Sequence, residues 1–319
     1  MTVKQFISEW NDSESDVIKA HTSGSTGDPK EILLEKDLVS KSALRTIRYF
    51  GLSSSSRLHL CLSPDYIAGK MMIVRSLLAE AELSVEEPCN HVSFSGCKFP
   101  LDLLAVVPSQ LNHLLDGASL DNKVKNIIVG GSPLSPSLEE KCRQSGVRIV
   151  ETYGMTETAS HIALREVGEK YFTPLDGIVV KTDEDDSTLI IVIDGNRVFH
   201  TKDVAEVTSD RKFRILGRTD DAIITGGLKV HPALVEREIS DIMAALFPGQ
   251  NFVIAGREDE KWVNRVTLIV EGQTEKMKGT LALKRIREAV EAYKAPKEII
   301  FIEKFPRTES GKIVRRLLI

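Results

Sequence analysis

The chain has few cysteines, and they show no pairing pattern. Cys61, Cys89, Cys97 and Cys142 form no C-x-x-C and have no histidine at metal-ligand spacing, which speaks against zinc and against a disulfide framework. No apolar run approaches the roughly 18 residues of a membrane span. The first residues, MTVKQFISEWNDSESD, are polar and amphipathic, without the apolar core of a secretory leader. We therefore expect a cytoplasmic protein with reduced thiols. There is no excess of one charge either: 42 Lys and Arg stand against 46 Asp and Glu, a formal net charge of −4. Nothing marks a nucleic acid or a membrane surface as partner, so any anionic ligand must be held locally. Internal repeats and low-complexity stretches are missing as well.

What remains is a 319-residue chain, 42% apolar and 28% charged, long enough for two domains and a large core. Helical spacing is expected over about residues 2–12 and 36–50, and from Pro64-Asp65 through Leu78. Strands are expected at 57–62, 101–107, 126–129 and 148–151, with helices at 109–115 and from about Ser135, an alternation that reads as α/β. From Gly177 the pattern turns to short strands, 178–181, 188–193, 197–200, 204–207 and 212–216, with Asp194-Gly195-Asn196 as a tight hairpin turn. After the linker-like Gly217-Arg218-Thr219-Asp220-Asp221, a further β/α unit of about one hundred residues follows, within the normal size of a domain. In it Pro232 opens a helix to about Phe247.

Three stretches carry chemistry. In Thr22-Ser23-Gly24-Ser25-Thr26-Gly27-Asp28-Pro29-Lys30, hydroxyls interleave with glycines whose backbone can approach a polyphosphate, and Lys30 adds a cation. The apolar Ile32, Leu33 and Leu34 that follow place this loop between two strands, unlike the strand-to-helix P-loop; a Ser/Gly surface turn fits the same residues equally well. Thr156 and Glu157 follow a presumed parallel strand, where open α/β sheets bind ligands. Lys70 and Arg75 lie on a helix that is apolar on most sides, and either snorkel to the surface or face an anionic ligand.

Taken in order, TSGSTGDPK, YGMTET, GRTDDAIITGGLKVHP and PRTESGK resemble the adenylate-forming superfamily of acyl- and aryl-CoA ligases, luciferases and peptide-synthetase adenylation domains. The resemblance covers the chain from about His21 to its end. It implies attack of a carboxylate on the α-phosphate of ATP, giving an acyl adenylate and pyrophosphate. By resemblance, Thr22, Ser23, Gly24, Ser25, Thr26, Gly27 and Lys30 hold the β- and γ-phosphates, Thr156 contacts phosphate oxygens, and Glu157 helps coordinate Mg²⁺. Gly130, Gly131, Ser132 and Pro133 lie along adenine, and Tyr153 and Gly154 belong to the same ATP site. Asp203 and Arg218 reach the ribose, although Lys202 stands where the family usually has glycine. Lys312 is the implied catalytic lysine, Asp220 the hinge, and Gly226 and Gly227 the approach to the coenzyme A tunnel.

The domain scheme implied is a large α/β N-terminal domain of layered sheets and helices (1–217), including a small antiparallel β subdomain at about 177–217. A hinge at 218–221 and a smaller, mobile α+β C-terminal domain (222–319) complete it. More narrowly, the Tyr66–Met72 and Glu157–Ala163 stretches resemble the short o-succinylbenzoate–CoA ligases of menaquinone biosynthesis. That implies ATP, Mg²⁺, coenzyme A and a small dicarboxylic acid, with Tyr66, Lys70, Arg75, Ser160 and His161 as substrate residues. Lys70 or Arg75 would pair with the carboxylate that is not activated; for His161 a purely structural place is an equal alternative. Ligation of another aryl or acyl acid, to coenzyme A or a carrier protein, stays open, as does a non-catalytic nucleotide-binding module. Family members carry a much longer segment before the phosphate loop. The expectation is a naturally reduced enzyme whose exposed apolar surface is covered in a homodimer.

Overall fold

The computed structural model describes residues 1–21, 31–117, 120–307 and 313–318. They fall into two compact units, 1–134 with 138–178, and 135–137 with 179–319.

The first unit opens with α1 (Val3–Asn11), started by a reciprocal cap in which Gln5 N donates to Thr2 Oγ1 and Thr2 N donates to Gln5 Oε1. β1 (Val17–His21) and β2 (Glu31–Glu35) pair antiparallel, with His21 opposite Glu31. The Thr22–Lys30 segment therefore runs between two strands, as its flanking residues require, and itself lies outside the described residues. α2 (Lys36–Phe50) ends at Gly51, whose φ of 63° closes the helix in the left-handed region. Next come β3 (Arg57–Leu60), α3 (Ile67–Ala79), β4 (Glu82–Val85), β5 (Leu103–Val106), α4 (Pro108–Asp116), β6 (Asn126–Val129) and α5 (Pro136–Gln144). The unit closes with β7 (Arg148–Met155), β8 (Ser160–Glu166) and β9 (Thr173–Pro174).

Seven strands form one sheet in the order β4-β3-β5-β6-β7-β8-β9. β4 to β7 are parallel to their neighbours, and β8 and β9 turn antiparallel. Leu103–Val106 and Ile127–Val129 are buried throughout, the continuous apolar runs of strands covered on both faces. Two findings differ from the expectation. β7 continues through Tyr153-Gly154-Met155, and β8 follows it at once as an antiparallel partner.

The second unit contains a four-stranded sheet, β10 (Ile178–Thr182), β11 (Thr188–Ile193), β12 (Arg197–Val207) and β13 (Phe213–Arg218), in that order. β12 is one strand where two were expected; its pairings shift register between Thr188 and Ile190 and between Val204 and Ala205, so irregularity is absorbed without a break. β14 (Ile223–Thr225), β15 (Leu228–Val230), α6 (Pro232–Glu238), α7 (Ser240–Leu246), β16 (Phe252–Asp259), β17 (Val263–Glu271), α8 (Lys276–Ala289) and β18 (Glu298–Ile302) follow. Their sheet runs β15-β14-β17-β16, with β18 parallel to β17. The helix expected from Pro232 to Phe247 breaks at Ile239, which is fully buried in the core beside Val235 and Met243. No helix among the described residues is long and apolar enough to cross a membrane.

Candidate active site

Glycines stand at the carboxyl ends of β6 and β7, where neighbouring groups come close. A Cβ on Gly130 would lie 2.3 Å from Thr152 Oγ1, and one on Gly154 would lie 2.2 Å from the Ser160 carbonyl oxygen. Gly131 adopts φ +95°, turning the strip Gly130-Gly131-Ser132-Pro133 out at the end of β6. At Gly154 the β7–β8 register slips, and the chain reverses through a 3-10 turn, Thr156–Thr158. The buried Thr158 hydroxyl lies 2.9 Å from the Met155 carbonyl and 2.8 Å from that of Ser160, and accepts from Met155 N. This pins the turn and leaves Thr156 and Glu157 half-exposed on it. β2 packs against the same turn, and His21 forms an isolated parallel bridge with Tyr66 at the start of α3. His21 thus meets Tyr66 and β2 lies against the 156–158 turn, at the carboxyl end of the sheet, the ligand-binding edge of such folds. Thr22, Ser23, Gly24, Ser25, Thr26, Gly27, Lys30 and Lys312 themselves lie outside the described residues. Tyr153 is half-buried, its ring 5.8 Å from that of Phe172.

The two cations of α3 go different ways. Lys70 lies beneath α1, its Nζ 4.5 Å from the centroid of the Phe6 ring and 3.0 Å from Met1 Sδ; burial pushes its ammonium below the ordinary lysine range. Arg75 is 2% exposed and donates from Nη2 to Ser160 Oγ at 3.1 Å. Among the described residues its Nη1 meets only Met72 Sδ at 3.7 Å, and its Nε is buried without a hydrogen-bond partner. No carboxylate among the described residues pairs with it, and burial pushes the guanidinium down to about 9. Ser160 continues to His161, 3.4 Å from Nδ1, while His161 Nε2 lies 2.9 Å from Thr46 Oγ1 on α2. Burial first, and then the Arg75 charge, hold His161 well below its ordinary pKa, so the ring is neutral. Arg75, Ser160 and His161 are therefore brought together, whereas Lys70 faces α1. Thr46 was not foreseen: it is separated from His161 by 115 positions, and no local pattern announces it.

In the second unit Asp203 and Arg218 stand opposite each other on β12 and β13. Arg218 donates from Nη1 to Asp203 at 3.0 Å and, through Nε and Nη2, to both oxygens of Asp220 at 2.9 and 3.1 Å. This fork holds the Asp220 carboxyl below the usual carboxylate range. Lys202 is not among the residues with positive φ, so lysine in place of glycine costs no backbone strain; its Nζ lies 3.5 Å from Asp220. Gly226 (φ +55°) and Gly227 (φ +80°) form the β14–β15 turn, and a Cβ on Gly226 would lie 2.9 Å from the Trp262 ring. On either side of the 308–312 segment, Arg307 bridges to Ile313. Glu271 accepts from Phe305 N and Arg307 there, and Arg315 forks onto Glu236.

Comparison with known proteins gives the following. Residues 4–192 match the family described as AMP-binding enzyme. A 2-succinylbenzoate–CoA ligase of Listeria monocytogenes is 28% identical over 98% of this chain and 72% of that protein. A solved AMP-forming acyl-CoA synthetase/AMP-acid ligase II-like protein from Dyadobacter fermentans is 29% identical, with a TM-score of 0.63 over 99% of this chain and 92% of that one. The o-succinylbenzoate CoA synthetase of Bacillus subtilis, solved with its acyl-adenylate intermediate OSB-AMP, is 22% identical with a TM-score of 0.77, covering 94% of this chain and 68% of that one. The same protein has been solved with ATP and magnesium ion. The α/β adenylate-forming fold expected from the motifs is the fold of these structures.

Proposed function

This chain belongs to the AMP-binding enzyme family, and from that premise we propose that it is an ATP-dependent acid–CoA ligase, adenylating o-succinylbenzoate and transferring the acyl group to coenzyme A. Relatives named for that ligation support the choice of acid. The observation that carries it is Arg75, a buried guanidinium whose Nε has no partner and which meets no carboxylate among the described residues. o-Succinylbenzoate has two carboxylates, and the one not activated supplies the missing counter-charge, with Ser160 beside it.

The other carboxylate attacks the α-phosphorus of ATP and pyrophosphate leaves, a step governed by positioning and electrostatics. The Thr156 hydroxyl donates to a phosphate oxygen, Thr22–Lys30 cradle the β- and γ-phosphates, and Lys312 bridges the attacking carboxylate and the α-phosphate. The strip Gly130–Pro133 lies along adenine, with Tyr153 and Gly154 at its side, and Asp203 with Arg218 receives the ribose hydroxyls. The Glu157 carboxylate is a hard oxygen donor suited to Mg²⁺, which neutralises phosphate charge when bound. The coenzyme A thiol then attacks the acyl adenylate and AMP departs. Between the two steps the C-terminal domain (222–319) turns about Asp220 within 218–221, taking Lys312 away and bringing Gly226 and Gly227 to the thiol's tunnel. The proposal includes a cytoplasmic location and a homodimer covering exposed apolar groups such as Val85 and Phe99 near β4.

The test is pyrophosphate release over a panel of carboxylic acids, with and without coenzyme A. Release with o-succinylbenzoate, and thioester only when the thiol is added, is expected. Release confined to simple benzoates would move the substrate elsewhere, and no release with any acid would leave a nucleotide-binding module.

A further inference from the structure

From the buried guanidinium of α3 a row of polar groups leads across β8 into α2. Arg75 Nη2 lies 3.1 Å from Ser160 Oγ, Ser160 Oγ 3.4 Å from His161 Nδ1, His161 Nε2 2.9 Å from Thr46 Oγ1, and Thr46 Oγ1 3.4 Å from the Ser42 carbonyl oxygen. Arg75, Ser42, Thr46 and His161 are all buried and Ser160 is half-buried, so bulk water does not reach the interior members of the row and their hydrogen bonds are made within it. The two ends differ in kind: a guanidinium only donates, and a carbonyl only accepts. Between such ends, four hydrogen bonds have one consistent direction. Arg75 donates to Ser160, Ser160 to His161 Nδ1, His161 Nε2–H to Thr46, and Thr46 to Ser42. The reverse arrangement, with the proton on Nδ1, gives up the terminal bond to Ser42 and leaves the Ser160 hydroxyl proton without a partner in the row.

We propose that Thr46 is a positioning residue that fixes His161 as the neutral Nε2–H tautomer, so that Ser160 gives its proton to His161 and Arg75 alone donates to the ligand's carboxylate. Thr46 touches no ligand and acts through His161 and Ser160. Neutrality of the ring, imposed by its burial and by the neighbouring cation, is the condition the row requires. The effect on ligand binding rests on the proposal above that Arg75 holds the second carboxylate; the tautomer does not.

Two measurements decide it. Nitrogen-15 NMR of the full-length protein with labelled histidine should show the His161 proton on Nε2 in the unsubstituted chain. T46V, which keeps the shape and removes the acceptor, should move the proton to Nδ1 and free the Ser160 hydroxyl. With that hydroxyl free to donate beside Arg75, KM for o-succinylbenzoate should fall about five- to ten-fold, the scale of one hydrogen bond, with KM for ATP unchanged and T46S restoring both readouts. A proton on Nδ1 in the unsubstituted protein overturns the proposal even if T46V fails to fold. So does a T46V protein in which either the tautomer or the KM stays as it was. If R75M leaves KM for the dicarboxylic acid unchanged, the substrate assignment falls instead, while the tautomer measurement still decides the direction of the row.

Discussion

Lys70 and Arg75 share one helix and are buried to the same degree, yet the chain completes the surroundings of one and leaves those of the other open. Lys70 rests against an aromatic face supplied by α1 and a thioether from Met1 just before it, a cation–π arrangement that leaves its ammonium little to seek. Among the described residues Arg75 has one neutral hydroxyl, a sulfur and an unpartnered Nε. Burial of a charge is therefore a poor pointer to function by itself; what separates the two is unfinished solvation. The contrast also explains why Ser160 sits where it does. Gly154 lets β8 approach β7 within a distance no other residue permits, and Ser160 is the first residue of β8.

The contrast breaks most sharply at Arg75. R75M should raise KM for o-succinylbenzoate about a hundred-fold or more, the range for truncating one partner of a buried charge pair, while a monocarboxylic benzoate changes by less than about three-fold. Equal losses for both acids would mean that the guanidinium does not read a second carboxylate. Next, F6A removes the ring above Lys70 and opens the core under α1. Denaturant unfolding should show a loss of about 3–5 kcal/mol, with KM for both acids unchanged where the protein is folded.

His161 gives a smaller effect with a defined sign. Its folded pKa lies below its ordinary value, so as pH falls below about 6.5 the unfolded chain takes up the proton first. Stability is then flat above that pH and declines below it, by up to about 1.4 kcal/mol per pH unit for this one ring. H161Q should flatten that part of the slope in unfolding curves taken from pH 7 to 5; an unaltered slope would place the sensitivity elsewhere, His59 being the next buried candidate. The smallest effect is expected for K70M, because exchanging a buried cation for an apolar isostere is often neutral or stabilising. Its melting temperature should stay within a few degrees and its KM within about two-fold, less than the loss of one hydrogen bond would give. A KM loss matching that of R75M would erase the distinction between the two cations.

Much of the frame was legible because it is local. α2 has the bounds its spacing predicts, and Ile32–Leu34 correctly require a strand after the Thr22–Lys30 segment. What was not legible depends on partners far along the chain. β8 hides inside a motif of hydroxyls and a carboxylate, and its place is set by the bulge opposite Tyr153 and Gly154 rather than by its own alternation. β4 is four residues long and lacks flanking turn signals of its own. Both α3 cations were equal candidates in the sequence, since the ring over Lys70 and the hydroxyl beside Arg75 come from opposite ends of the first unit. Thr46 was invisible for the same reason.

The β1–β2 hairpin carries a lesson for anyone who would re-engineer the Thr22–Lys30 segment. On β2, Leu34 is buried and Leu33 is 59% exposed, so inward and outward positions alternate strictly beside the His21–Glu31 closing pair. Length changes placed between residues 22 and 30 leave that parity intact. A single residue inserted after Glu31 would exchange the two leucines, exposing one and forcing the other inward. Libraries that vary loop length should accordingly treat His21 and Glu31 as fixed cassette ends, with the reading phase of the strand held constant and all freedom kept between them.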